Sequence, residues 1–450
     1  MHSTSWGYRT ALRLGVALAP ALGRLNPRIG NALHARRDAG ERLLDWARTS
    51  RDGARPLVWF HASSVGEGLQ AESVLIHLRR RCPDCQLVYT HFSPSAESLA
   101  ARLPADVADY LPYDLPGAVD RLLRVLEPHL LVFSKLDLWP ELATRASTTG
   151  AEVAIVAATV SIGSSRLRWP ARALLAPGYR AVAAAAAVSP EDAARLGRLG
   201  VAAGRIRVLG DPRFDSVAER VRRVTKDEPL LRFGNGAPTL VAGSTWPEDE
   251  AVLLQAFSAL LTRRRDARLV LVPHEPSEDH LRVTERSAAA AGVPAPVRLS
   301  QAQGPTTCLL VDRVGILATL YGAGTMSYVG GGFRSAGLHS VLEPAAWGLP
   351  VAFGPRWRNS RDADLLLRAG AATALPQSGT RTAANALLTR WEGWIQDDES
   401  RRSQGHRARE VVDRGVGASD RTAAMLAELI SSRPLQKSPR GARSSPRSAP

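Results

Sequence analysis

The sequence predicts an α/β protein of two doubly wound, Rossmann-like domains, and three observations predict it. Short apolar runs alternate with amphipathic helical patterns along almost the whole chain, which is the signature of parallel βαβ units. The alternation breaks once, over Lys226–Pro238, where Gly234, Asn235, Gly236 and Pro238 gather. The chemically distinctive segments then fall at the ends of the apolar runs, where an open parallel sheet binds ligands.

The first run, Leu57–His61 (LVWFH), is followed by a small-residue turn, Ala62–Gly66, and a helical pattern carrying Leu69, Val74, Leu75 and Leu78. Glu67 stands in the first helical turn. A carboxylate there either complements the helix dipole or acts as a general base beside the sheet edge. Gln86–Thr90 is a strand, and Ser93–Leu103 a helix with Ser at its cap and Pro behind it. Leu115–Leu126 is helical, Leu130–Phe133 a strand that delivers Ser134–Glu141, and Val153–Ala157 a strand. Ala181–Val188 is nearly all Ala and Val, as suits a strand buried on both faces. Ser189–Leu199 is a capped helix, and Ile206–Leu209 a strand ending in Gly210–Asp215.

Beyond the break, Thr239–Ala242 is a strand with Gly243, Ser244 and Thr245 at its end. Glu248–Arg264 is a helix, and Arg268–Val272 a strand ending in His274–Glu275. Cys308–Val311, Met326–Val329 and Val351–Phe353 are further strands, with helices at Gly315–Tyr321 and Ser340–Trp347. The triple glycine Gly330–Gly332 lets backbone approach a ligand closely. The division expected is 1–50 for an N-terminal segment, 51–222 and 238–432 for the two domains, 223–237 for the linker and 433–450 for a disordered basic tail.

The 58 Lys and Arg against 43 Asp and Glu give a net charge of +15, which favours an anionic partner. No helix-turn-helix, zinc-finger or RNA-binding aromatic signature accompanies it, so a nucleic-acid binder is disfavoured. Three cysteines, one pair of them as Cys82-x-x-Cys85, lack the second pair that a zinc site needs, so no zinc site is expected. The N-terminal run Ala11–Leu25, flanked by Arg9, Arg13, Arg24 and Arg28, reads either as an interfacial membrane helix or as a helix packed on the first domain.

Seven segments in order resemble a known family. They are HASSVGE (His61–Glu67), LPYDLP (Leu111–Pro116), LDLWPEL (Leu136–Leu142), GDPRFD (Gly210–Asp215), GSTWPEDE (Gly243–Glu250), LVLVPHEP (Leu269–Pro276) and VGGGFRSAGLHSVLEPAAWGLPV (Val329–Val351). Together they are similar to the 3-deoxy-D-manno-octulosonic acid (Kdo) transferases of lipopolysaccharide assembly, which have GT-B architecture with two Rossmann-like domains facing a central cleft. The resemblance implies an inverting transfer from CMP-Kdo to a lipid A precursor such as lipid IVA. It needs no metal or cofactor and proceeds at the cytoplasmic face of the inner membrane, so the expected partners are a CMP-sugar, the lipid acceptor and the membrane surface. It implies Glu67 as general base, Arg213 as the cation for the leaving phosphate or sugar carboxylate, and Lys135 and Asp137 beside them. Ser63, Ser64 and Gly66 fall on the acceptor side. Donor contacts fall on Gly243–Thr245, His274, Glu275, Gly315, Ile316, Leu317, Gly330–Gly332, His339, Ser340, Val341, Leu342 and Glu343, with Glu343 suited to the ribose hydroxyls and the helix from Ser340 to the phosphate.

The chain departs from the family pattern at four places. Lys135–Leu136–Asp137 replaces E-T-E, and Ala157–Ser164 lacks the two arginines of N-A-R-L-S-x-R-S. His274–Glu275–Pro276 replaces R-H-P, and Gly337–Glu343 replaces G-G-H-N-P-L-E. These changes open an alternative: a divergent GT-B glycosyltransferase for another acidic sugar nucleotide, or a silent relative.

Overall fold

The computed structural model describes residues 6–25, 27–234 and 236–432. The basic tail therefore lies outside the described residues. Among the described residues, fourteen strands form two all-parallel sheets. The first holds β1 (Leu57–His61), β2 (Gln86–His91), β3 (Val107–Tyr110), β4 (Leu130–Ser134), β5 (Glu152–Ala158), β6 (Ala184–Ala187) and β7 (Ile206–Val208), in the order β3-β2-β1-β4-β5-β6-β7. The second holds β8 (Thr239–Thr245), β9 (Arg268–Pro273), β10 (Val297–Arg298), β11 (Cys308–Leu310), β12 (Met326–Val329), β13 (Val351–Phe353) and β14 (Ala372–Ala374), in the order β10-β11-β9-β8-β12-β13-β14. Both are doubly wound, as the alternation predicts.

Period-two alternation assigns each central strand to two cores. Leu57 and Trp59 pack with Leu131, Phe133, Val153 and Ile155 on one face of the first sheet. Val58 and Phe60 pack with Val132, Ala154 and Val156 on the other. The same division separates Leu240 and Ala242 from Val241 in the second sheet.

Chain contacts divide the protein into Met1–Ser216 with Gly417–Pro450, and Val217–Val416. The expected linker at 223–237 and single block at 238–432 therefore need correction. The helix Pro212–Arg223 carries the chain from one unit into the other, and the last helix, Ala418–Ser431, returns to the first. Asp215 holds that helix by accepting from the backbone N–H groups of Gly417 (2.6 Å) and Ser419 (2.9 Å). Arg81 grips Asp420 in a bidentate pair, and Ala423, Met425, Leu426 and Ile430 complete a core of the first sheet.

Other differences are local. The expected helix Ser93–Leu103 is a 3₁₀ turn, Pro94–Ala96, running into a single α turn, Glu97–Ala100. The Ala-rich strand shrinks to Ala184–Ala187 because a helix, Ala171–Arg180, ends just before it. The helix expected over Ser340–Trp347 spans only Leu342–Ala346.

The N-terminal helix, Trp6–Leu25, is tied to the first unit at its start. Tyr8 donates to Asp114 (2.8 Å), and Arg9 forms a two-point pair with the fully buried Glu141 (2.9 and 3.0 Å). Asp114 also accepts from the N–H groups of Glu141 (2.9 Å) and Leu142 (2.7 Å), capping the helix Pro140–Thr148 from a distant loop. Burial raises the Asp114 carboxyl to about 6, against the pull of those bonds. No helix of the described residues is long and apolar enough to cross a membrane. The thiols of Cys82, Cys85 and Cys308 are free, and burial pushes Cys85 and Cys308 up to about 12, which leaves them protonated and unreactive.

Candidate active site

In a doubly wound sheet, the crevice for ligands opens where neighbouring strands send their connections to opposite sides. In the first sheet that point lies between β1 and β4. Glu67 follows β1 and Lys135 follows β4, so strand order alone brings them together.

Glu67 occupies the third position of the helix Val65–Arg81 and closes a capping box with Ser64. Its Oε2 accepts from the Ser64 backbone N–H at 2.9 Å and from the Ser64 hydroxyl. Its Oε1 lies 3.8 Å from Lys135 Nζ, with the Glu67 side chain 17 % exposed and that of Lys135 37 %. The capping contact and the contact with Lys135 therefore sit on different oxygens of one carboxylate. Gly66 has open space where a side chain would project. Lys135 adopts φ 56°, a left-handed conformation that an L side chain rarely takes, and its N–H donates to Val156. Ser134 Oγ donates to the Glu67 carbonyl at 3.1 Å, which ties the two strand ends to each other.

A buried histidine supports this rim. Trp139 Nε1 can only donate, and it donates to His61 Nε2 at 3.0 Å. Nε2 is therefore the acceptor, and Nδ1–H faces Thr90 Oγ1 at 3.1 Å. Ser63 Oγ also lies 3.1 Å from Nε2. Burial lowers His61 to about 4, so the ring is neutral. His61, Thr90 and Trp139 were not singled out as site residues by sequence. The one signal for them is a His closing an otherwise apolar buried strand.

Two expected members stand apart. Asp137 pairs with Arg166 at 3.5 Å rather than with Glu67. Arg213 is bound through Nε (2.9 Å) and Nη2 (2.6 Å) to Asp211, within the segment that seats the last helix.

The corresponding point of the second sheet lies between β8 and β12. Gly243, Ser244 and Thr245 form the end of β8 rather than a loop, and Ser244 is again left-handed, at φ 53°. Gly330–Gly332 follow β12. A side chain on Gly330 would fall 2.2 Å from the Ser244 carbonyl oxygen, so glycine is required. Asp249 accepts from Gly331 N–H (2.9 Å), Tyr328 OH (2.8 Å) and Trp246 N–H (3.1 Å), holding the glycine loop to the helix Pro247–Leu261. Burial raises Asp249 to about 6.

Beside the loop, Trp246 Nε1 donates to His339 Nε2 (3.1 Å), and the His274 ring stacks on that of His339, centroids 4.3 Å apart. Arg334 lies over the Trp246 ring at 3.9 Å. His339 is lowered to about 4, chiefly by burial. Glu275 and Ser340 are exposed. Gly315, at φ 88°, and Ile316 lead into the short helix from Leu317, whose side chain comes close to Gly243. Glu343 forms an ion pair with Arg220 at 3.2 Å, while burial pushes its carboxyl upward. The short helix after Val341 lacks a side-chain cap and is too brief to supply the expected anion site. Like His61, Thr90 and Trp139, the residues Trp246, Asp249 and Arg334 beside this loop are ones that sequence reasoning missed.

A family model described as 3-deoxy-D-manno-octulosonic-acid transferase matches residues 37–216. A 3-deoxy-D-manno-octulosonic acid transferase of Bordetella pertussis is 29 % identical over 422 residues, covering 88 % of this chain and 94 % of that protein. Its counterpart in Haemophilus influenzae is 26 % identical, covering 82 % and 86 %. Over most of its length the chain is therefore similar to the Kdo transferases. It is a glycosyltransferase. Among solved structures, UDP-GlcNAc 2-epimerase from Neisseria meningitidis superposes with a TM-score of 0.59 at 12 % identity, over 84 % of this chain and 100 % of the epimerase. A glycosyltransferase from Rickettsia africae gives 0.53 at 10 %, over 84 % and 98 %. At such identity these likenesses speak for the fold alone, and they agree with its GT-B class.

Proposed function

We propose that this chain transfers Kdo, with inversion, from CMP-Kdo to a lipid A precursor such as lipid IVA, on the cytoplasmic face of the inner membrane. The observation that carries the reading is the Glu67 carboxylate. It is held at a strand switch point with one oxygen fixed by Ser64 and the other turned toward Lys135. In the proposed step Glu67 takes the proton of an acceptor hydroxyl, and the hydroxyl oxygen bonds to the anomeric carbon of Kdo. The bond from that carbon to the phosphate oxygen breaks, and CMP leaves with the electron pair. Lys135, beside Glu67, supplies a cation for the sugar carboxylate or the leaving phosphate.

The second unit would hold the donor. Gly330–Gly332 and Gly243–Thr245 bring backbone to one point, and Arg334, His274 and His339 add donors for an anion. No metal or cofactor enters this scheme, so a chelator is expected to leave the rate unchanged. For membrane attachment, the N-terminal helix leaves Trp6, Leu14 and Leu18 exposed beside Arg13 and Arg24, a pattern suited to an anionic interface. Deleting residues 1–40 is expected to release the protein from membranes, and unchanged association would refute the attachment.

The test is transfer from CMP-Kdo to lipid IVA by wild type, Glu67→Gln and Lys135→Glu. Product from wild type and none from Glu67→Gln supports the reading. The second reading, a different acidic sugar nucleotide, is favoured by the cation that faces Glu67. It predicts that wild type binds a cytidine nucleotide yet fails with CMP-Kdo.

A further inference from the structure

A pocket of ≈ 760 Å³ opens between the two N-terminal helices and the segment after β2. Its volume falls in the range of about 300–1,000 Å³ usual for small-molecule sites. Ala19, Ala32, Leu33, Phe92, Pro94 and Tyr113 make most of its wall, so its lining is apolar.

Arg36 also lines it, and Arg36 is only 6 % exposed. Its guanidinium lies over the Phe92 ring at 3.8 Å, with the rings of Tyr113 and Tyr110 at 5.4 and 5.7 Å. Nη2 donates to the Phe92 carbonyl at 2.6 Å, whereas the buried Nε–H has no partner. The nearby Asp109 is already engaged by Arg42. Among the described residues no carboxylate is paired with Arg36. A buried cation without a counter-ion is costly, and aromatic faces offset that only in part. The missing component is an anion.

We propose that this pocket binds an anionic lipid, its phosphate or carboxylate meeting Arg36 and the first stretch of its acyl chain lying along Ala19, Ala32 and Leu33. The location adds a reason. The N–H groups of Phe92 (3.2 Å) and Ser93 (2.7 Å) both donate to the Ser63 carbonyl, beside the capping box of Glu67. Phe92 also packs on Trp139, ring centroids 5.2 Å apart, and Trp139 holds His61. A lipid anchored at Arg36 would thus bring its polar end to the acceptor side of Glu67. This last point rests on the acceptor being a lipid, as proposed above; the test reads binding alone.

The test is calorimetric titration of the full chain with myristoyl lysophosphatidic acid below its micellar concentration. Myristoyl lysophosphatidylcholine, with the same chain and a zwitterionic head, and glycerol 3-phosphate, with no chain, are the comparisons. Saturable binding of the first, and weaker binding of the other two by about thirtyfold or more, is expected. Arg36→Met is expected to lose a similar factor and Arg36→Lys to recover part of it. Ala32→Trp, which fills the pocket without touching the charge, is expected to abolish binding and decides the matter if Arg36→Met does not fold. Equal binding by wild type and Ala32→Trp overturns the site. Glycerol 3-phosphate binding as tightly as the lipid overturns the lipid assignment. Displacement of the probe by lipid IVA assigns it to the acceptor, and displacement by phosphatidylglycerol vesicles alone assigns it to the bilayer. A protein that transfers no Kdo would still give the binding results, so the two readings fail separately.

Discussion

The Lys135 ammonium stands 3.8 Å from Glu67 Oε1, while Glu67 Oε2 is held by Ser64. Both side chains keep some exposure, so the pair contributes about 0–1 kcal/mol and is readily exchanged for an arriving anion. The capping box, in contrast, fixes the carboxylate in place.

This division of contacts is expected to separate stability from chemistry at Glu67. Glutamine at the third helical position also closes a capping box. Glu67→Gln is therefore expected to keep its melting temperature within a few degrees while losing about 10²–10⁴-fold in kcat. Thermal melts run beside transfer assays check both halves. A collapse of stability with the rate would reduce Glu67 to a cap.

Lys135 is expected to trade stability for function. Its left-handed backbone favours glycine, so Lys135→Gly is expected to gain up to about 1 kcal/mol in urea unfolding. The same change removes the cation and is expected to raise KM for the anionic substrate several-fold. Destabilisation by Lys135→Gly would show that the ammonium matters more than the backbone.

His61 predicts a pH dependence. Its native value near 4 lies below the ordinary 6.5, so between those values the unfolded chain binds a proton that the native one refuses. Stability therefore falls as pH drops from 6.5 to 4, by about 3 kcal/mol for this group. In His61→Gln that part of the slope is expected to vanish. Denaturant titrations at a series of pH values measure it.

Glu141 is expected to be structural. It is fully buried and accepts from Arg9 and Arg145 together. Glu141→Ala leaves two guanidinium groups without that partner and is expected to cost about 3–5 kcal/mol. Faster proteolysis of the N-terminal helix should accompany the loss.

Gly330→Ala tests the second unit. Its methyl group would collide with the Ser244 carbonyl, so the loop must shift. Weaker CMP binding, with Asp249 and Tyr328 still in contact, is the expected outcome, read by calorimetry.

The central strands were legible because they are buried on both faces and so read as unbroken apolar runs, as Leu57–His61 and Leu130–Ser134 do. The edge strands β3, β10 and β14 are short and half-buried, and no such run marks them. Glu67 and the glycine loop were legible because each follows a strong strand. The acids that hold the sites together were not. Asp114 and Asp215 find their backbone partners 27 and 202 residues away, and nothing local distinguishes them from surface acids; Asp249 has a local partner in the Trp246 N–H, but its bond to Gly331 spans 82 residues. The segment Gly210–Asp215 looked like part of the chemistry, yet Asp215 caps the last helix.

The return of Ala418–Ser431 to the first unit sets an order of events at the ribosome. Val217–Val416 is one uninterrupted stretch and is complete before synthesis ends. The earlier-made unit must wait, with the groove beside Ser73 and Arg81 uncovered, until the final residues emerge. An expression fragment that stops short of Gly417 would therefore damage the half of the protein translated first.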